Sequence, residues 1–588
     1  MAKRKLDGVE GVALRASTKR GKQDAGKPAR QTANSQTPAL RKSNGDAKKK
    51  ENGAVQKKTP VVEDVVPESA VVQLGEDVDS ATVQIITGSY ERTLHGFTAV
   101  ISRSIPEPKD ASEPKDPSDE SIEDEAIQDN STSQTNGDIK AVDATNGTSS
   151  AIAKKDTTSK DSKPTLPFTE TFLFTAHTSS IRCLAVSPLN SASTPGSNSA
   201  QSVLLATGSA DERINLYNLS TVPPNPSSIP KLPTLAGTSI SENPRNRELG
   251  ALLHHSSAVT CLAFPTRAKL LSAAGDNTIA ITRTRDWTPL STIRAPVPKA
   301  VGRPSGDTAA PGEVPAGVND IAVHPSLKLM LSVGKGEKCM RLWNLVTGKK
   351  AGVLNFSRDL LAAAGEGRWG TGEGRKVEWD PAGEEYVVGF ERGVVVFGMD
   401  SKPSAIILPT PRTKLHQLRY LPSTAFTTPI LALSTEDGRI LFYPTATSTT
   451  SPFSSPAPTT SLPAKAPALD LPSLSPIATL GGALAGIAGR VKDFTILAPF
   501  VNGPLFVVTG SSDGAVRVWG IRVGELEKNA DAKQVGTLLG TFETGARITC
   551  LTSFVMSGRA EEKGEEEQAV VGADASESSD SEDGSESD

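Results

Sequence analysis

Cysteine is scarce, with four in 588 residues. So few cannot build a disulfide framework, and they fit a reducing compartment. Histidine is nearly as rare, at six. No CxxC pair and no His-rich cluster is present, so a zinc site is not expected. Aromatic residues make up only 4%. Long tracts hold almost no large apolar residue and cannot offset the entropy of ordering, so part of the length is expected to be disordered. No run of 18 apolar residues occurs, so no membrane helix is expected. The opening MAKRKLDGVE has no apolar stretch after its charges, and a signal peptide is not expected.

Charge is plentiful but unevenly placed. The net charge of −4 hides a basic arm and an acidic tail. Residues 1–58 carry sixteen Lys or Arg against five Asp or Glu, and residues 561–588 carry twelve acids against one Lys. Both read as interaction segments. Lys3, Arg4 and Lys5 form a candidate nuclear-localisation patch, although many solvated arms carry such runs. Serines in the tail sequence ASESSDSEDGSESD stand one to three residues before acids, as acidophilic kinases prefer.

The middle of the chain repeats. An acid precedes an aromatic by six residues in Glu91/Phe97, Asp211/Tyr217, Glu337/Trp343, Glu391/Phe397, Asp437/Tyr443 and Asp513/Trp519. A seventh copy keeps Asp276 but has Thr282 where the aromatic belongs. The residues between alternate as strands do. Ahead of most copies stands a second constant segment, such as SIRCLAVSP, AVTCLAFPT and GVNDIAVHP. Four short strands in about 40 residues specify a propeller blade of the WD40 type.

The first copy lacks its inner strand. ARITCLTSF, residues 546–554, has that strand's sequence and follows the last full copy. The expectation is an all-β, seven-bladed WD40 propeller, closed by the C-terminal strand pairing into the first blade. Closure removes two exposed sheet edges. The expected organisation is a disordered basic arm at 1–78, the propeller at 79–556 and a disordered acidic tail at 557–588. Loop inserts are expected at about 103–167, 190–201, 220–246, 295–316 and 445–475.

Several side chains invite a chemical reading. His177, Ser209, Asp211 and Tyr217 fall at the positions of the WD40 hydrogen-bond tetrad, with Tyr for Trp. Ser511, Asp513 and Trp519 repeat it in the last blade without a His. A serine-hydrolase triad is the competing reading of the first set, but residue order alone does not make a triad. Residue types recurring from blade to blade indicate scaffold. The other histidines, His95, His254, His255, His324 and His416, are scattered. Cys183, Cys261 and Cys550 recur at one strand position, which favours core packing. GEGRWG, residues 365–370, has the GxGxxG spacing of a dinucleotide loop, but it lies between all-β blades, outside any βαβ unit. Its segment sets Arg368, Trp369, Arg375 and Lys376 on what reads as a surface loop, a candidate RNA or partner contact beside the reading of a plain solvated glycine loop. No catalytic, cofactor or metal site is expected.

The stretch GVNDIAVHPSLKLMLSVGKGEKCMRLWNLVTGKKAG, residues 317–352, resembles the WD40 family of fungal maintenance-of-killer and animal p21-activated-kinase-interacting proteins. HTSSIRCLAVSP, LLATGSADERINLYNL and WDPAGEEYVVGFE are similar to the same family in the same order. That resemblance implies a non-enzymatic scaffold for ribosome biogenesis in the nucleus and nucleolus. It would act in assembly and pre-rRNA maturation of the large (60S) subunit. The implied partners are assembly factors and ribosomal proteins of pre-60S particles, and pre-rRNA. No membrane or small-molecule substrate is implied, and a closed ring needs no second copy. The same resemblance leaves open a negative regulator that binds a p21-activated protein kinase.

Overall fold

A computed structural model describes residues 78–105, 166–189, 202–223, 232–233, 239–298, 315–367, 370–426, 428–445, 471–487, 489–527 and 532–557. Lys3, Arg4, Lys5, Arg368, Trp369 and the acidic tail beyond residue 557 lie outside the described residues.

Seven antiparallel sheets stand around one axis, each built from inner to outer strand. Blade 2, for example, orders Ile181–Val186, Ser202–Ser209, Ile214–Ser220 and Arg247–Leu252. Blades 3 to 7 begin with inner strands Val259–Thr266, Val318–Val323, Lys376–Trp379, Leu415–Tyr420 and Val491–Leu497. Blade 1 takes its inner strand from the other end of the chain. Ile548–Met556 pairs antiparallel with Ser80–Ser89, with Thr82 opposite Met556 and Gly88 opposite Cys550. Thr93–Ser102 and Phe168–Thr175 complete that sheet, as the sequence predicts.

The burial pattern explains the sequence pattern. Second strands are covered by a neighbouring blade on each face, so Ile430–Thr435 and Leu505–Ser511 are buried at every residue. They read as unbroken apolar runs for that reason. Outer strands face water, and Pro289–Arg294 buries only Ile293. The core lies between blades. Val83, Ile85 and Phe97 pack with Phe506, Val508 and Leu551 between blades 7 and 1. Ile86 and Leu94 pack with Ile181, Val203 and Cys550 between blades 1 and 2.

Some strands lie in or beside the expected inserts. Ser473–Leu474 adds in parallel to the outer strand Pro403–Ile407 of blade 5, and Lys533–Gln534 adds in parallel to Ala478–Gly481 of blade 6. Within 220–246, Leu232–Pro233 pairs with Ser239–Ile240, and the Ser241 amide donates to the Glu170 carbonyl of blade 1 at 2.8 Å. These short additions carry no hydrophobic period, so the sequence shows them only as loop.

All inner strands run the same way, which sorts the connections onto two rims. The lower rim carries the turns from inner to second strand and from third to outer strand. The upper rim carries the turns from second to third strand and the crossings between blades. The inserts at 103–167, 190–201, 220–246 and 445–475 all open on the lower rim. Residue 79 enters there, and Met556 leaves there. Of the expected inserts, only 295–316 opens on the upper rim.

Candidate functional site

The tetrad positions come together, with one change of partner. In blade 2, Asp211 accepts from His177 Nδ1 at 3.1 Å and from the Thr178 amide at 3.0 Å. His177 Nε2 meets Thr207 Oγ1 at 2.8 Å, not Ser209. Ser209 sits where the strand ends, and its hydroxyl donates to the carbonyls of Ser179 and Ser180 at 3.0 and 2.9 Å. The tetrad hydroxyl is therefore Thr207, two residues upstream on the same strand face. Ser209 does not contact His177, so the hydrolase-triad reading of this set fails. Tyr217 is buried beside Phe174, with ring centroids 5.7 Å apart.

Blade 3 repeats this device where the sequence reading saw only scattered histidines. His255 Nδ1 meets Asp276 at 3.3 Å, and Nε2 meets Ser272 Oγ at 2.7 Å. Thr282, at the aromatic position, is fully buried and its hydroxyl has no partner among the described residues. Burial lowers the His177 and His255 pKa values, and their Asp partners oppose that shift.

In blades 4, 6 and 7 an Arg takes the place of the His. In blade 7, Arg517 donates to Ser511 Oγ at 2.7 Å and to Asp513 at 3.1 Å, while Ser511 also bonds Asp513 directly. Trp519 is buried in the core between blades 6 and 7. In blade 6, Arg439 Nε reaches Asp437 at 2.7 Å. In blade 4, Arg341 pairs with Glu337, and Trp343 Nε1 donates to Ser332 at 2.7 Å. These bonds tie turns to strands within a blade. They give the recurring acids a structural role.

A second repeated device was not visible in the sequence. In the inner strands of blades 2, 3, 4 and 7, the register slips across the second residue, at Arg182, Thr260, Asn319 and Lys492. Blade 1 slips opposite Thr549 and blade 6 within Leu415–Leu418, next to His416. Such bulges bend a strand and aim the extra side chain. Thr549 Oγ1 donates to the Ile181 carbonyl of the next blade at 2.6 Å. Thr260 does the same to Val318 at 2.6 Å, and Asn319 to Gly374 at 2.9 Å.

One residue further on, the strands present Cys550, Cys183, Cys261, Asp320, Lys376, Gln417 and Asp493 around the axis. Asp320 accepts the Val377 amide at 3.2 Å, and Asp493 accepts the Leu551 amide at 3.0 Å and Gln417 Nε2 at 3.0 Å. Burial pushes the three thiols up, so they remain protonated fillers. Lys376 is thus not on a surface loop. It opens the inner strand of blade 5, with Nζ 3.7 Å from Asp320. Arg375 lies just above it, 3.5 Å from Glu391. Lower in the channel, Arg419 meets Glu378 at 3.3 Å. The channel then widens into a funnel of about 970 Å³, lined in part by Phe264, Trp379, Tyr420 and Phe554. Among the described residues, no group of three or more His, Cys, Asp or Glu is placed to hold a metal ion. No helix among them is long and apolar enough to cross a membrane.

The ring and its tetrads define a WD40-repeat β-propeller, a class that typically serves as a non-enzymatic scaffold for protein–protein interaction. The WD40 family model (WD domain, G-beta repeat) matches residues 168–218 and 246–282. Over most of the propeller the chain is similar to two named groups. One is p21-activated protein kinase-interacting protein 1-like. The Xenopus laevis protein is 25% identical over 387 residues, covering 66% of this chain and 75% of the relative. The Danio rerio protein is 27% identical over 398 residues, covering 67% and 76%. The other is Protein MAK11 of Saccharomyces cerevisiae, 25% identical over 411 residues, covering 67% and 76%. The resemblance seen in residues 317–352 thus extends through about two thirds of the chain.

Proposed function

We propose that this chain is a WD40 scaffold in ribosome biogenesis, acting in assembly and pre-rRNA maturation of the large subunit in the nucleolus. The observation that carries this reading is its likeness, across about two thirds of the chain, to MAK11 and to the kinase-interacting proteins. The geometry agrees with a scaffold. The acids and hydroxyls around His177 and His255 hold turns to strands. Among the described residues the one Ser–His–Asp set, Ser272, His255 and Asp276, has its Ser and His buried and recurs in blade 2 as Thr207, His177 and Asp211. The rims remain for partners, which we take to be assembly factors, ribosomal proteins and pre-rRNA. Depletion from growing cells should lower free large subunits and accumulate their unprocessed rRNA precursors. Normal levels of both after depletion would remove this reading.

A second reading has its own support in the names of the vertebrate relatives, which describe interaction with a p21-activated protein kinase. In that reading the chain binds the kinase and holds it inactive. A pull-down with the kinase regulatory region decides it, since absence of binding at micromolar concentration excludes a stable complex.

A further inference from the structure

The upper mouth of the channel is cationic, and the fold makes it so. The bulge positions of the inner strands aim their side chains at this mouth. Where they are not Thr or Asn bridging to the next blade, they are Arg182, His416 and Lys492, and Arg375 precedes the unbulged inner strand of blade 5. Arg490 precedes the bulge of blade 7, and Arg547 precedes the strand that closes blade 1. These groups feel one another. Burial and then the neighbouring charges of Arg490 and Arg547 lower the Lys492 pKa. His416 is pushed down to about 4 by burial and then by Lys492. Arg375 and Arg490 have carboxylate partners, Glu391 at 3.5 Å and Glu436 at 3.1 Å. Arg182, Lys492 and Arg547 have none among the described residues. Glu436 opposes part of this repulsion on Lys492, and Glu91 accepts the Arg547 amide at 2.9 Å; a bound polyanion relieves what remains.

The patch also carries a stacking surface. Arg547 lies over the Tyr90 ring, 5.8 Å from its centroid, and Tyr90 is still 61% exposed. Arginine predominates over lysine here, and its planar fork matches phosphate oxygens. Cations tracking a backbone beside an open aromatic plate are the elements of single-strand recognition. An acidic peptide would use the charges but would leave Tyr90 without a role. The upper rim is also the one from which neither end of the propeller and only one expected insert emerges.

We infer that the upper channel mouth, formed by Arg182, Lys492, Arg547 and Tyr90, binds the backbone and a base of single-stranded RNA. The inference rests on the ribosome-assembly reading only for the source of that RNA.

The test uses the full chain, so that the basic arm contributes equally to every variant. Binding of a fluorescein-labelled oligouridylate is followed by anisotropy across a salt series. In Arg182→Gln/Lys492→Gln/Arg547→Gln the slope of log K against log salt should become shallower by about 2, at about 0.7 for each lost phosphate contact. Tyr90→Ala should weaken binding roughly fivefold or more, and ultraviolet crosslinking should map to Tyr90. A control removes exposed Lys269, Lys349 and Lys350, away from the mouth, and should leave the slope unchanged. A triple variant with a wild-type melting temperature and wild-type slope overturns the inference. So does displacement of RNA by polyglutamate at equal charge, with Tyr90→Ala silent, because the occupant is then an acidic protein segment. If the mouth binds RNA as described but the protein stays off precursor particles in cells, the assembly reading fails and the mouth stands.

Discussion

Removing the closing strand should unfold the ring, and the structure sets the size of the effect. Ile548–Met556 is the inner strand of blade 1. Ile548, Leu551 and Val555 feed the core against blade 7, while Cys550, Phe554 and Met556 feed the core against blade 2. Five large apolar side chains, Ile548, Leu551, Phe554, Val555 and Met556, are each no more than 8% exposed. At about 1.5–3 kcal/mol per buried side chain their loss amounts to roughly 10 kcal/mol. That is comparable with the whole stability of a typical domain, about 5–15 kcal/mol. The cut also bares the edge of Ser80–Ser89, which invites association between chains. The comparison pairs a chain ending at residue 546 with one ending at residue 557. The second keeps the strand and loses only the acidic tail. Thermal melting and size-exclusion chromatography should show the first truncation aggregated or unfolded and the second unchanged. Partial rescue by a peptide of residues 546–557 should follow. If the shorter chain remains monomeric and melts with the longer one, closure by this strand is not what holds the ring.

Other expectations follow from single contacts. Thr207→Val should cost about 1–3 kcal/mol by leaving His177 Nε2 buried without a partner. In denaturant double-mutant cycles it should couple to His177→Ala, whereas Ser209→Ala should be additive with His177→Ala. Gly208→Ala would place a Cβ 2.7 Å from Cys183 Sγ and from Val259 Cγ1, and should cost about 1–3 kcal/mol by overpacking. His416 has a folded pKa near 4 against an ordinary 6.5. The unfolded chain therefore takes up the proton first, so the stability that neutral His416 supplies is complete above about pH 6.5 and is lost as pH falls toward 4. The facing charges on this group are Lys492, Glu436, Arg490 and Arg375. His416→Gln should flatten that part of the melting-temperature profile, and an unchanged profile would contradict it.

The fold was legible because each blade repeats a constraint. An acid in the turn and an aromatic six residues later are separated by a strand whose length is fixed, so spacing survives where insert length does not. The closing strand could be recognised because an inner strand has the same neighbours in every blade, whichever end of the chain supplies it. The tetrad was legible less fully. Thr207 and Ser209 lie on one strand face, and only the path of the 177–180 loop decides which hydroxyl reaches His177. His255 was overlooked because Thr282 removes the aromatic that marks the motif. In blades 6 and 7 the partner of the acid changed from His to Arg, and an Arg near an Asp is too common to signal anything. The inner-strand bulges were hidden because one extra residue breaks the alternation by which strands are read. Lys376 read as part of a loop because it stands just past the glycine-rich run at 365–374, although it faces the channel.

The account's central claim, that this propeller acts on large-subunit precursors, is tested most directly by sedimentation. Tagged protein would be affinity-purified from growing cells and run on a sucrose gradient with and without RNase. The account predicts co-migration with particles holding unprocessed large-subunit rRNA. Recovery only as free protein, or with a signalling kinase, would contradict it.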